Sequence, residues 1–311
     1  MRASIWFKVK SVLQSVQRKV TPHMNESLTR PYTADEVRLA LFQMHPSKSP
    51  GPDGMSPFFF QKYWHIIGND VTEAILSFLR SAHMLKKMNH THIVLIPKKK
   101  DPKYLADYRP ISLSNVVSRI ISKVIANRLK LILPNVISDS QSAFVPNRLI
   151  TDNTTVAYEI LHRMRNRRRG KVGQMAVKLD ISKAYDRVEW SFLQGIMQKL
   201  GFDPRWVKLA METVTTASYS VFINGEPKGW ITQSRGIRQG DPLSPYLFLL
   251  CAEGLSAMLH KAVQRKSLSG ISVYRRGPKI SHLFFADDSI IFGKATEAEG
   301  EEILRILKVY E

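Results

Sequence analysis

The stretch Ile280–Lys294, with the sequence ISHLFFADDSIIFGK, decides how the fold of this chain is interpreted. Apolar residues stand on both sides of Asp287 and Asp288, a pattern that predicts two buried strands joined by a tight turn, with the acids at its tip. A second apolar segment, Met175–Asp180, also ends in an aspartate. We expect the ends of these strands to lie side by side, so that Asp180 comes within reach of the turn.

Clustered carboxylates repel one another, because two like charges about 5 Å apart cost about 3 kcal/mol at an effective dielectric constant of about 20. A bound cation relieves this repulsion, and oxygen ligands without histidine or cysteine select Mg²⁺ or Mn²⁺. Two such ions about 4 Å apart activate a 3′-hydroxyl group and stabilise a leaving pyrophosphate in polymerase-type phosphoryl transfer. Asp180, Asp287 and Asp288 are therefore candidate metal ligands.

Each acidic segment also has an ordinary structural explanation. An Asp-Asp pair in a turn commonly bonds its own backbone, and Asp180 could be the N-cap of a following helix. The nine histidines show no spacing typical of a metal site. The metal-site interpretation therefore depends on the combination of the two segments.

The charge of the chain points to a polyanionic partner. Lys and Arg number 46 against 26 Asp and Glu, which gives a formal net charge of +20, and such an excess repels itself unless it faces a polyanion such as nucleic acid. We expect no membrane partner, because the nearest apolar candidate, Tyr246–Leu259, contains Glu253. Cys251 is the single cysteine, which excludes an intrachain disulfide and indicates a reducing, intracellular compartment.

The order of elements predicts an α+β fold. Strands are expected at His92–Pro97, at Met175–Asp180, around Asp287-Asp288 and on both sides of Asn224-Gly225, a pair that favours a hairpin. Arg163–Lys171 is expected to be a basic linker. Helices are expected in Met1–Arg30 before a polar connector, after Thr33 in a capping box with Glu36, in Phe58–Lys87, in Val116–Leu133, after Ser182, in Pro242–Gln264 and in Ala295–Tyr310.

Three longer segments, KLDISKAYDRVEW (Lys178–Trp190), GIRQGDPLSPYLFLLCAEGL (Gly236–Leu255) and FFADDSIIF (Phe284–Phe292), resemble motifs A, B and C of reverse transcriptases in order and spacing. The upstream segments KSPGPDGM, VLIPKKKDP, DYRPISLSN and SQSAFVPNRLITDN resemble the fingers of LINE-type (non-LTR) retrotransposon polymerases, particularly those common in plants. Intron-encoded maturases and telomerase-like enzymes share the palm but should lack PGPDG followed by DYRPISLSN in this form.

The resemblance implies the right-hand polymerase fold, with fingers, a palm that has an antiparallel sheet, and truncation after motif C, before the thumb. The implied division is an N-terminal helix and linker in residues 1–30, fingers with the first palm elements in 31–174, and palm in 175–311. The implied activity is RNA-directed DNA polymerisation with two Mg²⁺ or Mn²⁺ ions, an RNA template, a DNA primer and deoxynucleoside triphosphates. A non-catalytic nucleic-acid-binding remnant is the alternative. The oligomeric state does not follow from the sequence.

The resemblance also implies roles for individual residues. Asp180 and Asp287 would hold the metals, with Asp288 as a supporting carboxylate. Tyr185 would lie under the incoming sugar and exclude a 2′-hydroxyl group, although an ordinary core aromatic fits the same position. Arg109 would grip the triphosphate, although a surface ion pair also suits it.

Three further sets of residues complete the expected contacts. Gln239 and Gly240 match the turn that touches the incoming nucleotide and the template, since glycine permits close backbone approach. The PGPDG turn within Lys48–Gly54 is expected to support template contact. Basic residues would bind nucleic-acid phosphates, although a solvated charge run or a flexible linker is equally compatible with them; they are Lys98, Lys99, Arg167 and Arg168.

Overall fold

The computed structural model describes residues 2–167, 171–274 and 277–311. In this part of the chain the helices are α1 (Arg2–Leu13), α2 (Pro22–Thr29), α3 (Ala34–Phe42), α4 (Pro57–Lys62), α5 (Trp64–Ser81), α6 (Val116–Val136), α7 (Ile150–Asn166), α8 (Trp190–Leu200), α9 (Pro204–Thr215), α10 (Ser244–Gln264) and α11 (Glu297–Tyr310). The strands are β1 (His90–Pro97), β2 (Tyr108–Ser114), β3 (Gln174–Asp180), β4 (Ser218–Ile223), β5 (Glu226–Thr232), β6 (His282–Phe285) and β7 (Asp288–Lys294).

The strands form two sheets. The mixed sheet has the order β2-β1-β4-β5, in which β1 and β4 are parallel and the other neighbours are antiparallel. The antiparallel sheet has the order β3-β7-β6. The α+β class is confirmed, with strands and helices interspersed along the chain.

Both hairpins predicted from turn residues are present. β4 and β5 are joined by Asn224 and Gly225, which both have positive φ angles of 50° and 83°, as a two-residue turn matched to strand twist requires. β6 and β7 are joined by Ala286 and Asp287, since Phe285 pairs in register with Asp288. The second turn places an acid at the end of the antiparallel sheet.

The two faces of the antiparallel sheet pack against different helices. Phe284 and Ile291 lie in a core cluster with residues of α10 and α11, whereas Leu283 and Phe292 pack on Ile160 of α7. A larger core cluster joins α3, α5, α6, α8, α9 and α10. The sheet is therefore supported on both faces, and its acid-bearing end is fixed relative to the helices.

The capping box at Thr33 and Glu36 is confirmed, since each side chain bonds the other residue's backbone. α10 is long and apolar enough to cross a membrane, but most of it is buried in the fold, as in the core helix of a globular domain. Length and composition are therefore weak grounds for a membrane span.

Some expected elements differ from the structure. The helix expected directly after Ser182 begins only at Trp190, because residues 182–187 form turns and Lys183 has a positive φ of 54°. The expected basic linker is helical up to Asn166, and basic residues in the last turn of α7 interact favourably with the helix dipole. Asp180 ends a strand that turns follow, so it is not a helix N-cap.

Candidate active site

Asp180 lies beside the acid-bearing turn. It is the last residue of β3 and pairs in register with Asp288, the first residue of β7. Asp287 precedes Asp288 in the turn, where Ala286 has a φ of 53°. All three acidic residues are exposed. Strand pairing thus brings acids from two distant segments together at one solvent-facing end of the antiparallel sheet.

The charge of this acidic end is only partly compensated. Like charges on directly opposed residues of an antiparallel pair, such as Asp180 and Asp288, are destabilising. Lys178, on the same face, places Nζ 3.4 Å from Oδ1 of Asp288, but both side chains are largely exposed, so this ion pair is weak. Among the described residues no salt bridge involves Asp180 or Asp287.

The donor set fits a hard divalent cation, because its side chains offer carboxylate oxygens and no imidazole or thiolate. Within the described ranges, no group of three or more His, Cys, Asp or Glu side chains is closed around a metal position. An open arrangement is typical of Mg²⁺ sites in which one or two carboxylates are completed by substrate phosphates and water.

Tyr185 lies near the acids and against α10. Its ring stacks on Phe248, with the ring centroids 5.5 Å apart and the planes 9° from parallel. Burial, and then the negative charge of nearby Asp287, raise the pKa of Tyr185 to about 12. The Tyr185 side chain is therefore a neutral, fixed ring beside the acidic end of the sheet.

The loop Gly236–Asp241 connects the segment after β3 with the mixed sheet. The amide of Gly236 donates to the Val188 carbonyl at 2.7 Å, and the Gln239 carbonyl accepts from the Ser112 amide of β2 at 3.0 Å. Gly240 has a φ of 103°, and a Cβ there would meet the Ser112 carbonyl at 3.4 Å. Glycine is required at this position by its backbone conformation, and the loop is held against β2 and against the segment that follows β3.

A buried ion pair stabilises this loop, and the sequence reading missed it. Arg238 and Asp241 form a salt bridge of 3.0 Å with both side chains about 4% exposed. Arg238 also donates to Asn89 at 2.6 Å, and Asp241 accepts from Ser122 at 2.9 Å. Because these partners come from separate elements, the pair fixes the loop against the body of the fold.

The residues expected to contact phosphates lie around the β1–β2 hairpin. Arg109 is exposed on β2, opposite Ile96 of β1. Lys98 donates to the Ala106 carbonyl at 3.0 Å, and Lys99 forms a 2.9 Å ion pair with Asp107. The hydrogen bond from Lys99 is the main reason that the pKa of Asp107 is lowered. The hairpin therefore gathers several cationic groups at its tip, two of them tied to the hairpin itself.

Other expected contact residues lie elsewhere. Arg167 directly follows α7, whereas Arg168 lies outside the described residues. The PGPDG turn is built into the junction of β2 and α6: the Asp53 amide donates to Oδ1 of Asn115 at 3.1 Å. A Cβ on Gly51 would stand 2.4 Å from the Asn115 amide nitrogen, so the close approach accounts for glycine there.

Gln141 and Asn153 hold the acid-bearing turn, a role that the sequence motifs did not predict. Oε1 of Gln141, a residue 1% exposed, accepts from the amides of Ala286 at 3.1 Å and Ala143 at 2.9 Å. Asn153 donates to the carbonyls of Phe284 at 2.7 Å and Ser140 at 2.9 Å. Backbone hydrogen bonds also attach the segment 140–142 to the outer edge of β6, through a parallel bridge between Gln141 and Phe284.

Comparisons with known proteins agree with these motifs. A family model described as reverse transcriptase (RNA-dependent DNA polymerase) matches residues 96–310. The transposon TX1 uncharacterized 149 kDa protein of Xenopus laevis is 33% identical over 272 residues, which cover 88% of this chain. The Pol polyproteins from retrotransposable elements R2 of Nasonia vitripennis and R2DM of Drosophila melanogaster are each 28% identical, over 90% and 87% of the chain.

The matched region is a small part of each relative. It covers 20% of the TX1 protein, 26% of the Nasonia protein and 24% of the Drosophila protein. The similarity therefore concerns one region of much longer polypeptides.

Proposed function

Because this chain belongs to the reverse transcriptase (RNA-dependent DNA polymerase) family, and its relatives include non-LTR retrotransposon proteins, we propose that it carries the nucleotidyl-transfer centre of such an element. It would extend a DNA primer on an RNA template with deoxynucleoside triphosphates. The observation that carries this proposal is the register pairing of Asp180 with Asp288 beside the turn that bears Asp287.

The acids would hold two Mg²⁺ or Mn²⁺ ions, with Asp180 and Asp287 as the main ligands and Asp288 in support. The ion pair between Lys178 and Asp288 favours this ranking, since it engages Asp288 and leaves the other two carboxylates available. When bound, the ions would supply activation of the primer 3′-hydroxyl group and neutralisation of the charge that develops on the leaving pyrophosphate.

The surrounding residues would select and orient the nucleotide. Tyr185 is proposed to block a 2′-hydroxyl group, which its fixed ring near the acids supports. Gln239 and Gly240 would contact the nascent base pair, because their loop lies between β2 and the segment after β3. Arg109 would bind triphosphate oxygens with its guanidinium fork.

The remaining assignments concern nucleic-acid binding and domain division. Lys98, Lys99, Arg167 and Arg168 are proposed to bind backbone phosphates. The mixed sheet is proposed to belong to the fingers and the antiparallel sheet to the palm. Because β4 pairs with β1, the β4–β5 hairpin belongs to the fingers on this proposal. It follows β3, the first palm strand, in the chain.

Gln141 is proposed to be a positioning residue for the reaction. Its side chain makes no hydrogen bond to the three acids, and on this proposal it does not contact the substrate. It acts by accepting a hydrogen bond from the backbone of the turn that carries Asp287. Arg148 helps to fix the backbone of Gln141, because its guanidinium group donates to the carbonyls of Gln141 at 2.8 Å and Ser138 at 2.6 Å.

A primer-extension assay with an RNA template, a DNA primer and Mg²⁺ or Mn²⁺ tests the proposed function. We expect extension by the chain and none by Asp180→Asn or Asp287→Asn, since each substitution removes a charge needed to hold the ions. Asp70→Asn, an exposed acid of α5, is the matched control and should extend normally. Salt-sensitive RNA binding without extension would support the non-catalytic nucleic-acid-binding alternative instead.

A further inference from the structure

One face of the mixed sheet carries a continuous array of four rings, here called the ring array: His90, His92, Phe222 and Trp230. The rings of His90 and Trp230 stack with centroids 4.4 Å apart and planes 4° from parallel. The ring of His92 meets that of His90 edge-on, with centroids 5.7 Å apart, and is tilted against that of Phe222, with centroids 5.0 Å apart. The array crosses three neighbouring strands, so it forms a surface and not an isolated contact.

Hydrogen bonds to two serines fix the His90 ring. The hydroxyl of Ser220 donates to the Gly229 carbonyl at 2.7 Å, so it must accept from Nε2 of His90, which lies 3.1 Å away. Because burial lowers the pKa of His90 and leaves its ring mostly neutral, Nδ1 then accepts from the Ser218 hydroxyl at 2.9 Å. This assigns the neutral Nε2–H tautomer and holds the ring in the plane that Trp230 covers.

The array is not part of the hydrophobic core. Trp230 is 63% exposed, and neither it nor Phe222 belongs to a core cluster formed by the described residues. Every residue of β5 is exposed. A large aromatic residue that is stacked on one side and open on the other provides a face for another planar group.

The array continues along β1 towards a cationic group. Val94 and Ile96 lie on the same face as His90 and His92, because alternate residues of a strand share a face, and Ile96 is opposite Arg109 of β2. His90 and Ile96 are six positions apart, a separation of about 20 Å at roughly 3.3 Å per residue. The face therefore leads from exposed rings to a guanidinium group over the length of a few nucleotides.

We propose that the ring array binds unpaired RNA, by stacking of bases on Trp230 and on its neighbours, so that it holds the single-stranded template ahead of the site of synthesis. The identification of this RNA as template rests on the proposed function. Nucleic acid is favoured over an apolar partner because the chain carries a net charge of +20, and rings combined with positive charge are the usual means of binding single strands.

The histidines contribute as flat rings and not as cations. Burial lowers the pKa of both His90 and His92, and the proximity of His92 lowers that of His90 further. Both rings are therefore neutral at pH 7. Stacking on the array should add affinity without adding to the salt dependence of binding, which reflects neutralised phosphates.

The test measures the Kd of a labelled, unstructured single-stranded RNA of about 12 nucleotides, by fluorescence anisotropy in EDTA, where polymerisation cannot occur. Trp230→Ala should weaken binding about tenfold, whereas Trp230→Phe should stay within about threefold because a ring remains. The slope of log Kd against log salt should be unchanged in both variants, since no charge is removed.

Ile231→Ala is the matched control, because Ile231 follows Trp230 on β5 and pairs with the buried Tyr219, on the opposite face of the sheet. Its affinity should equal that of the unmodified chain. A blunt RNA–DNA duplex should bind Trp230→Ala normally, whereas a duplex with a 5′ RNA overhang should show the loss.

Two results would overturn the inference: unchanged RNA affinity in Trp230→Ala, or an equal loss in Ile231→Ala. Unchanged RNA affinity together with altered self-association of Trp230→Ala in sedimentation would identify the array as a contact between copies of the chain. The binding assay is independent of catalysis. If the unmodified chain fails to extend primers but Trp230→Ala loses RNA affinity, the proposed function is rejected and the RNA-binding role of the ring array is supported.

Discussion

Gln141 holds the acid-bearing turn through a single acceptor atom. Its Oε1 bonds the amide of Ala286, a non-glycine residue with a positive φ of 53°, and such a conformation persists only where surrounding contacts impose it. Its Nε2 is buried and has no partner in the described residues. The contribution of the Gln141 side chain in this structure is therefore the pair of hydrogen bonds that Oε1 accepts from two backbone amides.

We predict that Gln141→Ala lowers the primer-extension rate constant at least about tenfold, with little change in KM for the nucleotide. Truncation leaves the amides of Ala286 and Ala143 without an acceptor, which costs about 1–3 kcal/mol per group, and lets the turn relax. Rapid-quench extension and denaturant unfolding are the measurements.

Gln61→Ala controls for a merely structural effect of losing a glutamine side chain. Gln61 likewise bonds two backbone groups, the carbonyls of Leu41 at 3.1 Å and Met44 at 2.9 Å, but at the end of α3. The Gln61→Ala variant should have a lower free energy of unfolding but an unchanged rate constant of primer extension. An unaltered rate constant in folded Gln141→Ala would show that the turn is positioned by other contacts.

Tyr185 is predicted to discriminate between deoxyribonucleotides and ribonucleotides by the bulk of its ring. Tyr185→Val should lower the ratio of kcat/KM for the two nucleotides at least about tenfold, which corresponds to about 1.4 kcal/mol. Tyr185→Phe should keep the ratio, because the neutral hydroxyl group is not needed for exclusion. Single-nucleotide incorporation measures both, and a ratio preserved in the valine variant would place the discrimination elsewhere.

The strand pattern of the sequence predicted that Asp180 and the acid-bearing turn lie side by side, which the strand register shows, but it did not predict the contacts around that turn. Asp180 and Asp287 are marked by the apolar strands that they terminate or join. Gln141, Asn153 and Arg238 lie in segments that resemble family motifs, but they act through partners far away in the chain, and the motifs do not indicate those partners. Such contacts exist only once the fold has formed.

Strand β6 is attached to its surroundings through the buried side chain of His282. Its Nε2 lies 2.9 Å from the hydroxyls of both Ser140 and Ser256, and its Nδ1 lies 2.9 Å from the Ser281 hydroxyl. Burial, and to a smaller extent nearby His260, lower the pKa of His282 to about 3. The strand that leads to the acid-bearing turn thus depends on a neutral histidine.

Protonation of His282 should make the fold sensitive to acid. The unfolded chain takes up this proton near pH 6.5 and the folded chain only near pH 3, so the contribution to stability is complete above pH 6.5 and is lost as the pH falls towards 3. About 2 kcal/mol of the free energy of unfolding should disappear between pH 7 and pH 5 for this reason.

Denaturant unfolding at several pH values checks this prediction. His282→Gln should be less stable at pH 7 but should lose less of its remaining stability on acidification. A residual slope is expected, because burial also lowers the pKa of His90, His92 and His260. Identical slopes in the variant and the unmodified chain would contradict the role given to His282.

Elements with strong local signals were predicted well, and those that depend on tertiary context were not. The hairpin at Asn224-Gly225 and the capping box at Thr33 follow from local turn and cap chemistry. The helix expected after Ser182 was displaced because the segment 182–187 instead forms turns that connect with the Gly236–Asp241 loop. α9 was missed although Asp203 and Pro204 are typical of a helix start.

At the scale of the whole molecule, one loop links the mixed sheet to the segment that follows the first strand of the antiparallel sheet. The Gly236–Asp241 loop bonds β2 of the mixed sheet on one side and the segment after β3 on the other. The mixed sheet carries Arg109 and the ring array, and the antiparallel sheet carries the acids. On the proposed function, this basic chain, with a net charge of +20, would present its phosphate-binding and metal-binding groups to the same nucleic acid.

The central claim is that acids from two distant segments meet at one divalent-cation site, and iron-directed cleavage tests it most directly. Fe²⁺ would replace Mg²⁺ in the presence of RNA template, a chain-terminated primer and the matching nucleotide, and hydroxyl radicals formed at the ion would cut the nearby backbone. We predict cuts near both Asp180 and Asp287, suppressed by excess Mg²⁺ and absent from Asp180→Asn. Cuts near only one of these residues, or a pattern unchanged in Asp180→Asn, would contradict the claim.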